Sequence, residues 1–221
     1  MDFYAFVEGP LTWIAILVFL VGIVVKGIMY YNASKKTDKL IHKYFSWKWV
    51  FATYAKWLLP NNETFKKQPL YCLAVYLFHV CIILLPIFAY QHIVMWEMSR
   101  FGISWASLPA GLAKWMTLAV VIIGLALMVR RAIHPDLKLL SRPADYLLLV
   151  VTILPFLTGY LAAHATLGTT GFLAENMQLF HMLSGQLMLI LIPFTKLSHS
   201  VLFFFSRGAT AVEFGRRGYS M

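Results

Sequence analysis

Apolar residues gather into five long runs, at 11–31, 70–96, 112–129, 144–164 and 177–205, and polar residues fill the intervals. A helix needs about 20 apolar residues to cross the hydrocarbon core of a bilayer. The pattern therefore predicts an all-α integral membrane bundle of five helices. The longest interval, 32–69, carries eight lysines and no arginine. Among those lysines lie Trp47, Trp49, Tyr54, Trp57 and Leu58. Lysines and aromatics mixed in this way predict an amphipathic helix lying in the membrane interface.

The basic residues fix a direction. Fifteen of the nineteen fall in 32–69, in the third loop (Arg130, Arg131, Lys138, Arg142) or in the tail (Arg207, Arg216, Arg217), whereas the connectors 97–111 and 165–176 hold only Arg100. Cytoplasmic loops carry the excess of Lys and Arg, so the expected orientation is N-terminus outside and C-terminus cytoplasmic. The N-terminal MDFYAFVEGP is acidic and precedes a full-length span, which reads as a retained first helix and not as a cleaved signal peptide.

Composition agrees: 60% hydrophobic and 13% charged residues depart from the usual half apolar and quarter charged of soluble domains. A net charge of +10 could point to nucleic acid, but basic residues clustered between apolar runs report topology. Cys72 and Cys81 lie too far apart on one helix to form a disulfide, and read as packing residues. No Cys-x-x-Cys occurs, which argues against covalent haem attachment and an iron–sulfur cluster held by this chain alone. No repeat or second domain interrupts 1–221.

Ionisable residues inside a membrane are costly and usually functional. Four histidines, His79, His92, His181 and His199, fall well inside apolar runs. On a continuous helix the step from His181 to His199 returns to the same face after roughly 27 Å. Depth in the membrane then pairs His79 with His199 near the inner surface and His92 with His181 near the outer one. Two facing imidazoles suit b-type haem, whereas zinc would want two further ligands at the same depth. Ser184 and Gly185, one turn from His181, would let a flat cofactor approach the backbone. On an ideal helix His79 and His92 point some 140° apart. Pro86, midway between them, is where the span is expected to kink, and His164 is the reserve ligand for the outer tier. Hydrogen bonding between helices is the bland reading of all four. His42 and His134 are expected to be solvated.

The segments His181-Met182-Leu183, Pro193-Phe194-Thr195-Lys196-Leu197-Ser198-His199 and Phe78-His79-Val80 resemble the nitrate reductase gamma-subunit family of membrane di-haem cytochromes b. PIFAYQHIVMW followed by GISWASLP is more similar to the cytochrome b subunits of the transmembrane redox complexes of sulfate reducers, of the Tmc, Hmc and Dsr type. The resemblance covers spans two to five. The chain departs from the nitrate reductase branch in a longer span-two spacing, and in Cys81, Leu85 and Ala89 where that branch is richer in glycine.

The resemblance places His79, His92, His181 and His199 at haem-ligand positions. It implies a cytoplasmic-membrane subunit carrying electrons between a quinol pool or a periplasmic multihaem cytochrome c and a cytoplasmic iron–sulfur subunit. Lys114 lies in a region where the family uses a lysine, and could hydrogen-bond a quinone such as menaquinone; a snorkelling anchor explains it slightly better. Lys196 could pair a haem propionate or snorkel. Trp96, Trp105 and Trp115 read as an aromatic belt. The rival readings are a quinol-oxidising or quinone-reducing subunit with its pocket near Lys114 and His92, and a haem-free transporter or scaffold whose histidines relay protons.

Overall fold

The computed structural model describes residues 2–58, 63–164, 168 and 170–219. Part of the expected interfacial loop (59–62) and part of the connector 165–176 lie outside the described residues. All regular secondary structure among the described residues is helical: α1 (Phe3–Thr37), α2 (Lys39–Lys43), α3 (Trp47–Leu58), α4 (Glu63–Lys67), α5 (Pro69–Phe88), α6 (Tyr90–Glu97), α7 (Ala110–Ile133), α8 (Pro135–Leu140), α9 (Pro143–His164), α10 (Phe172–Leu191) and α11 (His199–Gly215). Four stretches are long and apolar enough to cross a membrane, namely α1, α5 with α6, α7 and α9; α10 with α11 makes a fifth if that bent pair is one span.

Two compact units are present, one formed by 1–69 with 186–221 and the other by 70–185. In the first, α1 contains a π-turn at Val7–Leu11 around Pro10. The freed Val7 carbonyl accepts from the Thr12 hydroxyl at 3.0 Å and from the buried Gln186 amide at 2.7 Å. The lysine-rich segment 32–69 includes α3, whose Val50 packs with Ala211 and Val212 of α11. Gly208 and Gly215 let the helices close, because a Cβ at either would meet the Tyr54 hydroxyl or the Trp49 indole. Trp47 and Phe51 stack on each other at 5.5 Å and stay exposed, an apolar face suited to lipid.

The fifth apolar run is not one helix. α10 ends at Leu191, and after a turn and a 3₁₀ segment (Lys196–Ser198) α11 departs at 78°. Pro193 has no N–H to continue the ladder. The projection that put His181 and His199 on one face of a continuous helix over 177–205 is therefore replaced: His181 sits inside α10, and His199 opens α11.

In the second unit Phe78, Cys81 and Leu85 of α5 pack with Val120 of α7 and Phe156 of α9. At Gly124 a Cβ would lie 2.6 Å from Ile153 and 3.3 Å from Phe78, so this glycine sets the approach of α7 to α9. Span two breaks at Ala89, which takes an extended ψ of 132° between α5 and α6. The expected kink at Pro86 thus falls three residues later. The break leaves the last carbonyls of α5 without helical partners, and each finds another: Pro86 accepts from His92 Nδ1 at 2.9 Å, Ile87 from the Trp105 indole at 2.9 Å, and Phe88 from the Leu108 amide at 2.9 Å. In lipid no water is at hand to pair a backbone carbonyl, so such pairing is needed there. Trp105, expected in an aromatic belt, is instead a cap.

Candidate functional site

The site is built from α9 and α10 upward. Along α10, the buried Ser184 hydroxyl meets the Thr158 hydroxyl of α9 at 3.1 Å, which fixes the register of the two helices. One turn earlier, His181 Nδ1 donates to the Pro155 carbonyl of α9 at 2.9 Å. A carbonyl can only accept, so Nδ1 carries the proton and Nε2 keeps its lone pair. The ring fits because Gly159 has no side chain: a Cβ there would lie 2.8 Å from His181 Cε1 and 3.0 Å from Nδ1.

His92 reaches the same place from the other side of the break. Its Nδ1 donates to Pro86, so its Nε2 is also a lone-pair donor. The His92 and His181 rings lie 5.9 Å apart between centroids, with planes 11° from parallel. An ordinary aromatic pair can have that spacing. The chemistry of the donor set goes further, since each imidazole has one nitrogen committed to a carbonyl and the other available as a Lewis base. Anchoring of the second nitrogen to a carbonyl is how metal-ligating histidines are oriented. Two neutral imidazoles side by side, each with one nitrogen anchored, are a donor set that could hold a haem iron. No cluster of three or more His, Cys, Asp or Glu converges among the described residues.

The other predicted residues lie as follows. His79, half-buried in α5, donates from Nδ1 to the Val75 carbonyl at 2.7 Å, and His199 from Nδ1 to the Lys196 carbonyl at 2.8 Å. Both Nδ1 atoms therefore carry the proton, as in His92 and His181. His164 stacks on Tyr160 at 4.4 Å and donates to its carbonyl at 3.0 Å; the ring placed beside His181 is that of His92. Lys114 is half-buried in the first turns of α7 and Lys196 is exposed. Gly185 has nothing within 4 Å of where a Cβ would stand, which is open space, whereas Ser184 is consumed by the contact with α9. His42 is not solvated but half-buried, bonded to Ser34 at 3.0 Å and edge-on to Tyr31; His134 is exposed near Asp136.

Sequence reasoning missed four residues. Gly159 carries a signal, a glycine one turn beyond a proline in an apolar run, but its use depends on knowing which ring it faces. Trp105 and Leu108 act on carbonyls far away in sequence and leave no local mark. Lys26 is the plainest omission, a charge in the middle of the first apolar run. Its ammonium donates to the Pro193 carbonyl and to the Ser198 hydroxyl, each at 2.9 Å.

These helices define a multi-pass α-helical membrane protein. The chain belongs to one family with a protein of Nitratidesulfovibrio vulgaris (strain Hildenborough) that bears only the name "Protein". The two are 35% identical over 222 residues, which span 97% of this chain and 95% of the relative. No family model matches the chain.

Proposed function

We propose that this protein is the membrane cytochrome b subunit of a respiratory redox complex in the cytoplasmic membrane, with its N-terminus outside and its C-terminus inside. It passes electrons through two bis-histidine haems b, one on His92 and His181 near the outer surface and one on His79 and His199 near the inner. The observation that supports this most is the parallel pair of imidazoles at 5.9 Å, each held by a backbone carbonyl so that Nε2 is free to ligate.

Bound haem would supply reversible one-electron transfer. The chain's own residues supply the rest. The Pro86 and Pro155 carbonyls fix the planes of the His92 and His181 rings. Gly159 and the open surroundings of Gly185 leave room for ring and macrocycle. The electron partners are a periplasmic multihaem cytochrome c or the quinone pool on one side, and a cytoplasmic iron–sulfur subunit on the other.

Reduced-minus-oxidised spectra of the purified chain and of four His→Ala variants test the proposal. A split b-type α band in the parent is expected, with one of its components lost in each variant. A parent without that band refutes it and leaves the haem-free transporter or scaffold. A second reading, a quinone site at Lys114, draws on the half-burial of that lysine at the start of α7 with no hydrogen bond or ion pair to a described residue. Haem reduction by a menaquinol analogue that Lys114→Ala abolishes would support it; reduction only through added cytochrome c would exclude it.

A further inference from the structure

An ammonium inside a bilayer is retained where it serves a purpose. Lys26 lies well within α1, fifteen residues beyond Leu11 and eleven short of Thr37. It does not snorkel: its Nζ donates to Pro193 O and Ser198 Oγ. No ion pair to Lys26 is present among the described residues. One turn before it on α1, Gly22 faces Pro193 so closely that a Cβ would lie 2.6 Å from the proline ring, and Gly27 faces Phe205 of α11. This stretch of α1 is shaped to the break that follows α10.

From Lys26 a relay of bonds leads through that break to His199. The Ser198 hydroxyl accepts from Lys26 and donates to the Thr195 carbonyl at 2.8 Å. Thr195 Oγ1 donates to the Leu191 carbonyl at 2.7 Å and caps the 3₁₀ turn by accepting from the Leu197 amide at 3.3 Å. His199 follows Ser198 directly, and its Nδ1 donates to the Lys196 carbonyl of the same turn. The lysine thus supplies a donor to a carbonyl whose helical partner is lost, and holds the turn that aims the imidazole.

We infer that Lys26 is a positioning residue for His199: its ammonium locks the break between α10 and α11, fixes the orientation of the His199 ring, and places a positive charge beside the haem that ring would hold. This rests on the reading of His199 as a haem ligand. Loss of a nearby cation disfavours the electron-rich state, so Lys26→Met should lower the midpoint potential of one haem only, the one lost in His199→Ala. It should also shift that haem's low-spin electron paramagnetic resonance signal, because ring orientation sets it. Lys26→Arg should restore most of the potential, and Ser198→Ala should move it in the same direction by less.

The experiment is redox titration and resonance spectroscopy of the detergent-purified full chain in these variants. If the His199-dependent haem of Lys26→Met keeps its potential and its signal, the inference is overturned while the cytochrome reading stands. If Lys26→Met does not accumulate, Ser198→Ala decides: an unshifted haem overturns the inference. A parent chain without haem, or one whose spectrum is unchanged in His199→Ala, sinks the reading of His199 itself and this inference with it.

Discussion

Gly159→Ala should destabilise this protein, against the usual sign for a glycine inside a helix. In an unconstrained helix the change gains about 1 kcal/mol. Here the new methyl would stand 2.8 Å from His181 Cε1 and 3.0 Å from Nδ1, so either the ring or α9 must move. Overpacking of this kind costs about 1–3 kcal/mol, and displacing the ring breaks the bond to the Pro155 carbonyl, worth about 1 kcal/mol. The net is a loss of about 2 kcal/mol, or roughly 4–8 °C in melting temperature for a chain of this length. Tryptophan fluorescence melting in detergent measures it. Gly185→Ala is the control, because its Cβ would meet nothing within 4 Å and the change should be neutral or stabilising in the haem-free protein. A Gly159→Ala variant that melts at or above the parent, with His181-dependent absorbance intact, would refute the claim that this glycine exists to admit the ring.

Other expectations follow from the same geometry. His92→Ala should lose one haem and His164→Ala none; the reverse would move the outer ligand to α9. Trp105→Phe removes the donor to Ile87, a bond worth about 0.5–1.5 kcal/mol, so melting should drop slightly and the His92-dependent haem signal should broaden; an unchanged signal would show that the cap does not hold His92. Thr158→Val breaks the contact with Ser184 at about 0.6 kcal/mol, with about 1.7 kcal/mol as the upper end for such bonds, read as a small fall in melting temperature. Lys48→Glu with Lys56→Glu should abolish capture of an iron–sulfur partner while membrane insertion persists; retained capture removes the basic face as its dock.

The spans were legible where apolar runs are bounded by their own punctuation. Run 112–129 became Ala110–Ile133 after Pro109, and 144–164 became Pro143–His164. Breaks were not. Pro193 was in plain view, but the run around it stays apolar, and hydropathy alone cannot tell a straight helix from a bent pair. At span two the proline marked the neighbourhood of the break, yet Ala89 was chosen by caps from Trp105 and Leu108, which periodicity along one helix cannot see. The site followed the same division. Matching depths put His92 beside His181, and the two rings lie 5.9 Å apart; depth depends on residue count, which a sequence carries. What makes room for the rings and orients them is Gly159 with the Pro86 and Pro155 carbonyls, and these are tertiary facts. Lys26 was passed over because one charge barely lowers the mean of a long apolar stretch.

The capping of the Ala89 break by residues downstream has a consequence for the order of biogenesis. While the ribosome is still translating the connector, the end of α5 has no covers for its carbonyls, and His92 has no fixed direction. That condition ends only when Leu108, sixteen positions beyond His92, has arrived. The opposing ring comes later still, after α9 has been threaded and α10 has begun. A cofactor proposed to sit on His92 and His181 could therefore load only after most of the polypeptide has been made, because a chain arrested before α10 lacks the second imidazole.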